Sequence, residues 1–182
     1  MCHVAPGGAR CYAAFSGDLA PALLVAAATV EIAGPDGRRT LPLADLYRED
    51  GMAHLALSAD DLLVAVRVPR TPAPASAYAK ARVRGAIDFP LAGVAVSVLR
   101  DGETLKALRI ALTGTNSRPF LVAGTEDFAG QKLDAPALAR LDALVQKQAS
   151  PMLTIMTSAQ YRRRVAGALA RRLTQRLMAA AC

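Results

Sequence analysis

The sequence has few cysteines and no long uninterrupted apolar run. Only three cysteines occur in 182 residues, and no stretch of about 18 uncharged apolar residues could form a membrane-spanning helix. The first twenty residues contain neither a basic segment nor a continuous apolar segment, so no signal peptide is predicted. We therefore expect a cytoplasmic protein that does not enter a membrane. In such a chain, cysteines are better explained as reduced thiols or metal ligands than as a disulfide framework.

Common catalytic motifs are also missing. The sequence contains no GxSxG, GxxxxGK[ST] or HExxH pattern, and its only imidazoles are His3 and His54. A single histidine near a cysteine is more often incidental than catalytic. Composition and spacing therefore name no chemistry, although 53% hydrophobic residues in a chain of this length indicate a globular fold with a substantial core.

Positive charge is concentrated at the C-terminus. The net charge is +7, and residues 160–182 contain six arginines and no acid: Arg162, Arg163, Arg164, Arg171, Arg172 and Arg176. An apolar stripe at i, i+4 spacing predicts that this helix faces a core or a partner along Tyr161, Val165, Leu169, Leu173 and Leu177. Because no aromatic interleaving or RNA-binding motif accompanies the arginines, we interpret them as a solvated or subunit-facing surface, not as a nucleic-acid site.

Local patterns predict an α+β fold. In the first part we expect a short helix over Asp18–Ala28, a hairpin over Thr29–Pro42 that turns at 34–37, and a half-buried strand over Asp61–Val68. Proline-punctuated residues 70–76 read as a connector between two domains, 1–69 and 77–182.

The second part predicts an antiparallel sheet followed by two helices. Strands are expected from Ala77 to Val83, through a run in which Val94, Val96 and Val98 share a face, and over Lys106–Leu112 after a turn at 100–102. The helices should begin at the N-caps Asp134, followed by Pro136, and Ser158.

Longer strings resemble a known family. Residues 77–98, AYAKARVRGAIDFPLAGVAVSV, resemble the start of the C-terminal domain in flavoprotein subunits of molybdenum hydroxylases, which include xanthine dehydrogenase and aerobic carbon monoxide dehydrogenase. SGDLAPALLVAAATVEIAGPDGRRTLPLADLY and LSADDLLVAVRVP resemble the second half of that family's FAD-binding domain. The resemblance implies the C-terminal part of a two-domain, FAD-binding electron-transfer subunit.

Two further strings resemble one branch of this family. CHVAPGGARCYAAFSGDLAPAL and ALTGTNSRPF look most like the β subunits of 4-hydroxybenzoyl-CoA reductases, which hold an extra [4Fe-4S] cluster. The resemblance places Cys2 and Cys11 on the last two of four cluster cysteines. Thiolates suit iron–sulfur ligation, and a cubane needs one ligand per iron. By spacing alone, two cysteines that are nine residues apart are better explained as ordinary buried or surface thiols.

The resemblance also implies three flavin contacts. Asp18 would bond to the flavin system, Leu63 would pack on the isoalloxazine ring, and Lys80 would approach the polar edge of the ring, where a cation stabilises charge on the reduced flavin. Without the resemblance, the better explanations are that Asp18 caps a helix, Leu63 is ordinary core and Lys80 is a solvated strand lysine.

One feature departs from the family pattern. The glycine-rich GGT or GGN turns that cradle the FAD phosphates do not occur, so the resemblance implies only one wall of a flavin site. We accordingly expect an apolar patch at Leu23, Leu24, Val30 and Ile32.

Partners and alternatives also follow from the resemblance. The partners would be a molybdenum-cofactor catalytic subunit and a small [2Fe-2S] subunit in a hetero-oligomer. Alternatives are a carbon monoxide or xanthine dehydrogenase-like FAD subunit without the extra cluster, and a non-catalytic module that docks to partner subunits.

Overall fold

The first part of the chain forms a short helix and a small antiparallel sheet. The computed structural model describes residues 7–70, 74–155 and 157–180. The elements are helix α1 (Leu19–Val25), strands β1 (Thr29–Gly34) and β2 (Gly37–Pro42), a 3₁₀ turn (Leu43–Leu46) and strand β3 (Leu62–Arg67). The predicted hairpin is confirmed, and Gly37 takes the positive φ of 107° that its turn requires. The strand order is β2-β1-β3, with an irregularity in the β1–β3 register.

The second part is built on a four-stranded antiparallel sheet. Its strands are β4 (Ala75–Ala81), β5 (Ala92–Asp101), β6 (Thr104–Thr113) and β7 (Phe120–Leu121), in the order β4-β5-β6-β7. Strands β5 and β6 form the predicted hairpin, in which Gly102 lies at the turn with φ 58°. A second 3₁₀ turn (Thr125–Phe128) follows β7.

The four-stranded sheet has a hydrophobic core on each face. Val94, Val96 and Val98 pack with the helices that follow the sheet. The alternate, smaller side chains of Ala95 and Ala111 belong to a second core with the first part of the chain. That second core also holds Leu24, Val25, Val30 and Ile32, so the expectation of an exposed patch there is wrong for Leu24, Val30 and Ile32.

Two helices complete the fold, α2 (Ala135–Gln148) and α3 (Ala159–Ala179). Both predicted N-caps are confirmed: the carboxylate of Asp134 accepts from the N–H of Ala137 at 2.8 Å, and the hydroxyl of Ser158 accepts from the N–H of Tyr161 at 3.1 Å. These caps satisfy backbone donors that the first helical turn leaves unpaired.

The buried face of α3 includes most of the predicted stripe, because Leu173 and Leu177 are buried and Val165 and Leu169 pack against the core, but it differs at the start of the helix. Tyr161 is 48% exposed, whereas Arg162 is only 5% exposed. The face that packs on the sheet and on α2 is made largely of small side chains and includes Ala166, Gly167 and Ala170. Arg162 belongs to this buried face, so the interpretation of Arg162 as a surface arginine is wrong. None of the described helices combines the length and apolar composition that a membrane crossing requires.

Candidate functional site

Asp18, Tyr78 and Lys80 meet where α1 approaches the edge strand β4. The carboxylate of Asp18 accepts hydrogen bonds from the hydroxyl of Tyr78 at 2.7 Å and from Nζ of Lys80 at 2.5 Å. Tyr78 and Lys80 are two residues apart on β4, so their side chains lie on the same face of the sheet. Asp18 occupies the N-cap position of α1 but makes no capping hydrogen bond with its side chain. Its carboxylate therefore bonds to side chains of β4 and not to the N-terminus of α1.

Neighbouring residues hold Lys80 in position and leave room for the Tyr78 ring. Nζ of Lys80 also donates to the carbonyl of Asp88 at 2.9 Å. Gly93 lies opposite Lys80 on β5, and a Cβ at Gly93 would lie 2.5 Å from the hydroxyl of Tyr78, so only glycine leaves room for the ring. Burial, and then the Asp18 carboxylate, raise the pKa of Tyr78, which therefore stays protonated as a donor at neutral pH.

The cluster presents a carboxylate acceptor beside an ammonium donor. Together they could bind a ligand edge that carries both N–H and C=O groups, such as the pyrimidine side of a flavin. The side chain of Asp18 is 44% exposed and that of Lys80 is 18% exposed, so a ligand can reach the carboxylate more easily than the ammonium. This donor and acceptor set fits FAD chemically.

Leu63 lies on a different sheet. It is on β3, opposite Ile32 of β1, and is 42% exposed. Its neighbours on and after the strand are also exposed and apolar: Leu62, Val64, Val66 and Val68. Leu63 thus has free apolar surface of the kind on which a flat ring packs, but the hydrogen bonds that join Asp18, Tyr78 and Lys80 do not involve it.

Cys11 is half-buried and has a free thiol. Its N–H donates to the carboxylate of Asp50 at 3.1 Å, and its carbonyl accepts from the N–H of Gly51 at 2.9 Å and from the hydroxyl of Ser117 at 3.1 Å. Cys2 lies outside the described residues. Within 7–70, 74–155 and 157–180, no three histidine, cysteine or acidic side chains form a group that could hold a metal ion. A cubane needs four ligands, so Cys11 by itself does not form a cluster site.

The segment around Cys11 positions Asp18. Phe15 donates its N–H to the carbonyl of Asn116 at 2.9 Å and accepts from the N–H of Gly114 at 2.7 Å. The Phe15 ring also packs against Tyr47 and His54, each with a centroid distance of 5.5 Å. These contacts fix the chain three residues before Asp18, at the end of β6.

Sequence reasoning missed two residues of this site, Tyr78 and Asp88. Tyr78 could have been found as the residue two positions before Lys80, on the same strand face. Asp88 had no comparable signal, because its carbonyl reaches Lys80 only when the β4–β5 loop folds back.

Two family models match the chain, one after the other. A model described as "FAD binding domain in molybdopterin dehydrogenase" matches residues 4–71, and one described as "CO dehydrogenase flavoprotein C-terminal domain" matches residues 76–177. The second model covers more than half of the chain. The chain belongs to the CO dehydrogenase flavoprotein family.

Relatives in this family agree over most of the chain. The carbon monoxide dehydrogenase medium chain of Afipia carboxidovorans is 31% identical over 157 residues, which are 85% of this chain and 53% of the relative. The aldehyde oxidoreductase FAD-binding subunit PaoB of Escherichia coli is 32% identical over 120 residues, 64% of this chain and 36% of that subunit. The solved structure of reconstituted CO dehydrogenase from Oligotropha carboxidovorans superimposes with a TM-score of 0.82 at 29% identity, covering 90% of this chain and 57% of that one.

These comparisons confirm the family and the α+β fold. The relatives also include a putative xanthine dehydrogenase FAD-binding subunit of Escherichia coli, which is 26% identical over 178 residues. The chain spans about half the length of the carbon monoxide dehydrogenase relative.

Proposed function

We propose that this chain forms part of the FAD-binding medium subunit of a molybdenum hydroxylase and passes electrons between an external donor, FAD and a molybdenum-containing subunit. The observation that carries the proposal is the match of both family models along the chain, together with an Asp18–Lys80 pair that joins the two matched regions. The partners would be the molybdenum-cofactor catalytic subunit and a small [2Fe-2S] subunit, in a cytoplasmic hetero-oligomer.

In this proposal the two parts of the chain have different roles in the flavin site and the C-terminal domain. Residues 1–69 supply one wall of the flavin site, and residues 77–182 form the C-terminal domain. Residues 70–76 connect these two parts, and the last two of them already belong to β4. When bound, FAD supplies hydride and one-electron chemistry. Asp18 accepts from the N–H edge of the flavin, Lys80 donates to its polar carbonyl edge, and Leu63 offers apolar surface to the ring. Tyr78 holds Asp18 in place, since its hydroxyl donates to the same carboxylate.

Lys80 provides the sharpest test. In the FAD-loaded subunit, Lys80→Met should lower the flavin reduction potential, because a nearby cation favours the anionic reduced ring. An effect of about 1 kcal/mol at a partly solvated site corresponds to about 20 mV for a two-electron couple. Potentials are measured by spectroelectrochemistry. Lys106→Met is the control, because Lys106 is exposed on β6. An unmoved or raised potential in Lys80→Met contradicts the assignment.

The finer proposal concerns the 4-hydroxybenzoyl-CoA reductase branch and its [4Fe-4S] cluster. It is supported by the string CHVAPGGARC and would use Cys2, Cys11 and two further thiolates. Iron analysis of the FAD-binding subunit of which we propose this chain forms part, referred to here as the parent subunit, tests this proposal. Cys11→Ser should lower the iron content of the parent subunit while FAD stays bound, and an unchanged iron content contradicts the proposal.

A second candidate is a CO or xanthine dehydrogenase-like FAD subunit without the cluster. It is favoured by the relatives reported above. It predicts that no iron is bound by the parent subunit. A non-catalytic docking module is distinguished from both by a parent subunit that assembles with its partners without retaining FAD.

A further inference from the structure

The guanidinium of Arg162 bonds to two segments that are distant from it in the sequence. Nε of Arg162 donates to the carbonyl of Leu91 at 2.7 Å, and Nη2 donates to the carbonyl of Gly114 at 2.5 Å. Leu91 directly precedes β5, and Gly114 directly follows β6. A Cβ at Gly114 would lie 2.7 Å from the carbonyl oxygen of Pro90, so the two segments touch each other beside Arg162. One buried side chain of α3 therefore joins both strand ends.

The bond to Leu91 leads to Lys80. The N–H of Leu91 donates to the carbonyl of Ala81 at 2.8 Å, and Ala81 directly follows Lys80 on β4. Nζ of Lys80 in turn donates at 2.9 Å to the carbonyl of Asp88, three residues before Leu91. Leu91 is thus bonded on one side to Arg162 and on the other to the strand that carries Lys80. A shift of this segment would move both the backbone and the carbonyl that hold the lysine.

The bond to Gly114 leads to Asp18. The N–H of Gly114 donates to the carbonyl of Phe15 at 2.7 Å, and the hydroxyl of Thr113 donates to the same carbonyl at 3.2 Å. Phe15 lies three residues before Asp18. Gly114 is therefore bonded to Arg162 through its carbonyl, and to the segment that leads into Asp18 through its N–H.

The two routes meet where the side chains of Asp18 and Lys80 form their ion pair. Hydrogen bonds and short backbone segments thus form a closed ring, from Arg162 through Leu91 to Lys80, and from Asp18 through Gly114 back to Arg162. A guanidinium suits this position because its planar, rigid array of donors holds two acceptors in fixed directions. Groups that bind a ligand must be held within about 0.5 Å of their productive positions by the residues around them.

We propose that Arg162 is a positioning residue of the flavin site, which fixes the separation of Asp18 and Lys80 through the carbonyls of Gly114 and Leu91. The inference rests on the proposed function, because it concerns the pair that we place at the polar edge of the flavin. Without the guanidinium the two strand ends lose their common donor, and the ammonium of Lys80 moves relative to the ring. A displaced cation stabilises the reduced flavin less than one held in place.

The first test is a double-mutant cycle of flavin reduction potentials, measured by spectroelectrochemistry on the FAD-loaded parent subunit. Arg162→Met should lower the potential by less than Lys80→Met does, because Lys80 is displaced but still present. In the Lys80→Met background, Arg162→Met should cause no further shift, since the effects of residues that act through one another do not add. If the charge of Arg162 acted directly on the flavin, its loss would lower the potential equally in both backgrounds.

Gly167→Ala is the matched control for general destabilisation. Gly167 lies on the same helix, and a Cβ there would collide with Asp142 of α2, not with either strand end. This variant should lower stability without moving the flavin potential. Arg162→Lys keeps the charge but lacks the planar array of donors, so it should lower the potential by less than Arg162→Met. The lysine variant carries the same cycle if Arg162→Met does not fold.

A second measurement needs no flavin. In the full chain, hydrogen exchange followed by NMR reports on the N–H groups of Leu91 and Gly114. Relative to the N–H of Val122, which donates to a carbonyl of β6, these two should exchange about tenfold faster in Arg162→Met than in the unaltered chain. In Gly167→Ala the ratio should stay within about twofold, because general destabilisation speeds all three together.

Four results would overturn the proposal. They are an unmoved or raised potential in both Arg162 variants, an equal shift with and without Lys80, an equal shift in Gly167→Ala, and an unchanged exchange ratio in Arg162→Met. All four leave the proposed function standing if Lys80→Met lowers the potential. If Lys80→Met leaves the potential unmoved, the proposed flavin contact fails, and the exchange ratio alone decides whether Arg162 holds the two strand ends. Failure of this inference is therefore distinguishable from failure of the proposed function.

Discussion

Replacing Arg162 by methionine should destabilise the protein by about 3 kcal/mol. The side chain is buried, and its guanidinium donates to the carbonyls of Leu91 at 2.7 Å, Gly114 at 2.5 Å and Met152 at 3.5 Å. Hydrogen bonds that involve a charged group contribute about 1.5–3 kcal/mol each. The first two bonds are short, and the third is at the limit of hydrogen-bond distance, so we count two.

Part of this gain offsets the cost of burying the guanidinium. Burial lowers the pKa of Arg162, which shows that the charged form loses hydration in the fold. Methionine removes this cost but leaves two carbonyls without a donor. An unsatisfied buried acceptor costs about 1–3 kcal/mol, so the expected net loss is about 3 kcal/mol. For a chain of this length, that loss lowers Tm by about 6–12 °C.

Urea unfolding followed by circular dichroism measures this change, with Arg164→Met as the control. Arg164 is exposed on the same helix, and its loss should change the unfolding free energy by less than about 0.5 kcal/mol. Arg162→Lys should lie between the two, since lysine keeps the charge without the planar array of donors. A loss below about 1 kcal/mol for Arg162→Met would refute the reasoning.

Three further predictions concern pH and packing. Because the pKa of Tyr78 is raised above its unfolded value of 10.0, stability should fall as pH rises beyond that value, and Tyr78→Phe should flatten this fall in a pH series of urea unfolding curves. Arg39 and a backbone N–H lower the pKa of Asp61 to about 2. The contribution of the ionised Asp61 to stability is therefore present above pH 3.8, the unfolded pKa, and is lost as the pH falls towards 2. In an acid titration followed by circular dichroism, Asp61→Asn should remove this part of the unfolding transition. A Cβ at Gly167 would lie 2.0 Å from the carboxylate of Asp142 and 3.0 Å from its carbonyl, so Gly167→Ala should destabilise by about 1–3 kcal/mol in urea unfolding, despite the higher helix propensity of alanine.

Several elements could be predicted from the sequence because their causes are local. The 34–37 turn, the alternating valines of β5 and the caps Asp134 and Ser158 each depend on residues within a few positions of one another. The pairing of Asp18 with Lys80 could not be predicted in this way, since the two residues are 62 positions apart. The family resemblance predicted that Asp18 and Lys80 each contact the flavin, but it did not predict that they bind each other.

Local sequence patterns gave wrong predictions of burial at positions where burial depends on distant segments of the chain. The stripe on α3 predicted that Tyr161 faces inward, but Tyr161 is exposed and Arg162 is buried instead, where it donates to carbonyls of distant segments. Val30 and Ile32 were expected to lack cover, yet the small side chains of β5 and β6 allow α1 and β1 to pack against the sheet. Neither outcome is visible in the spacing of residues along one element.

The sequence by itself determined the longer helices and strands, the caps Asp134 and Ser158, the hairpin turns and, through its longer strings, the family. Those features depend on backbone preferences and side-chain alternation over a few residues. The tertiary structure decided which polar groups form hydrogen bonds. Tyr78 and Lys80 donate to the carboxylate of Asp18, and Arg162 donates to three loop carbonyls. The reason is physical. A buried charge or hydroxyl is stable only where partners from other segments satisfy it, and only the folded chain brings those partners within hydrogen-bond distance.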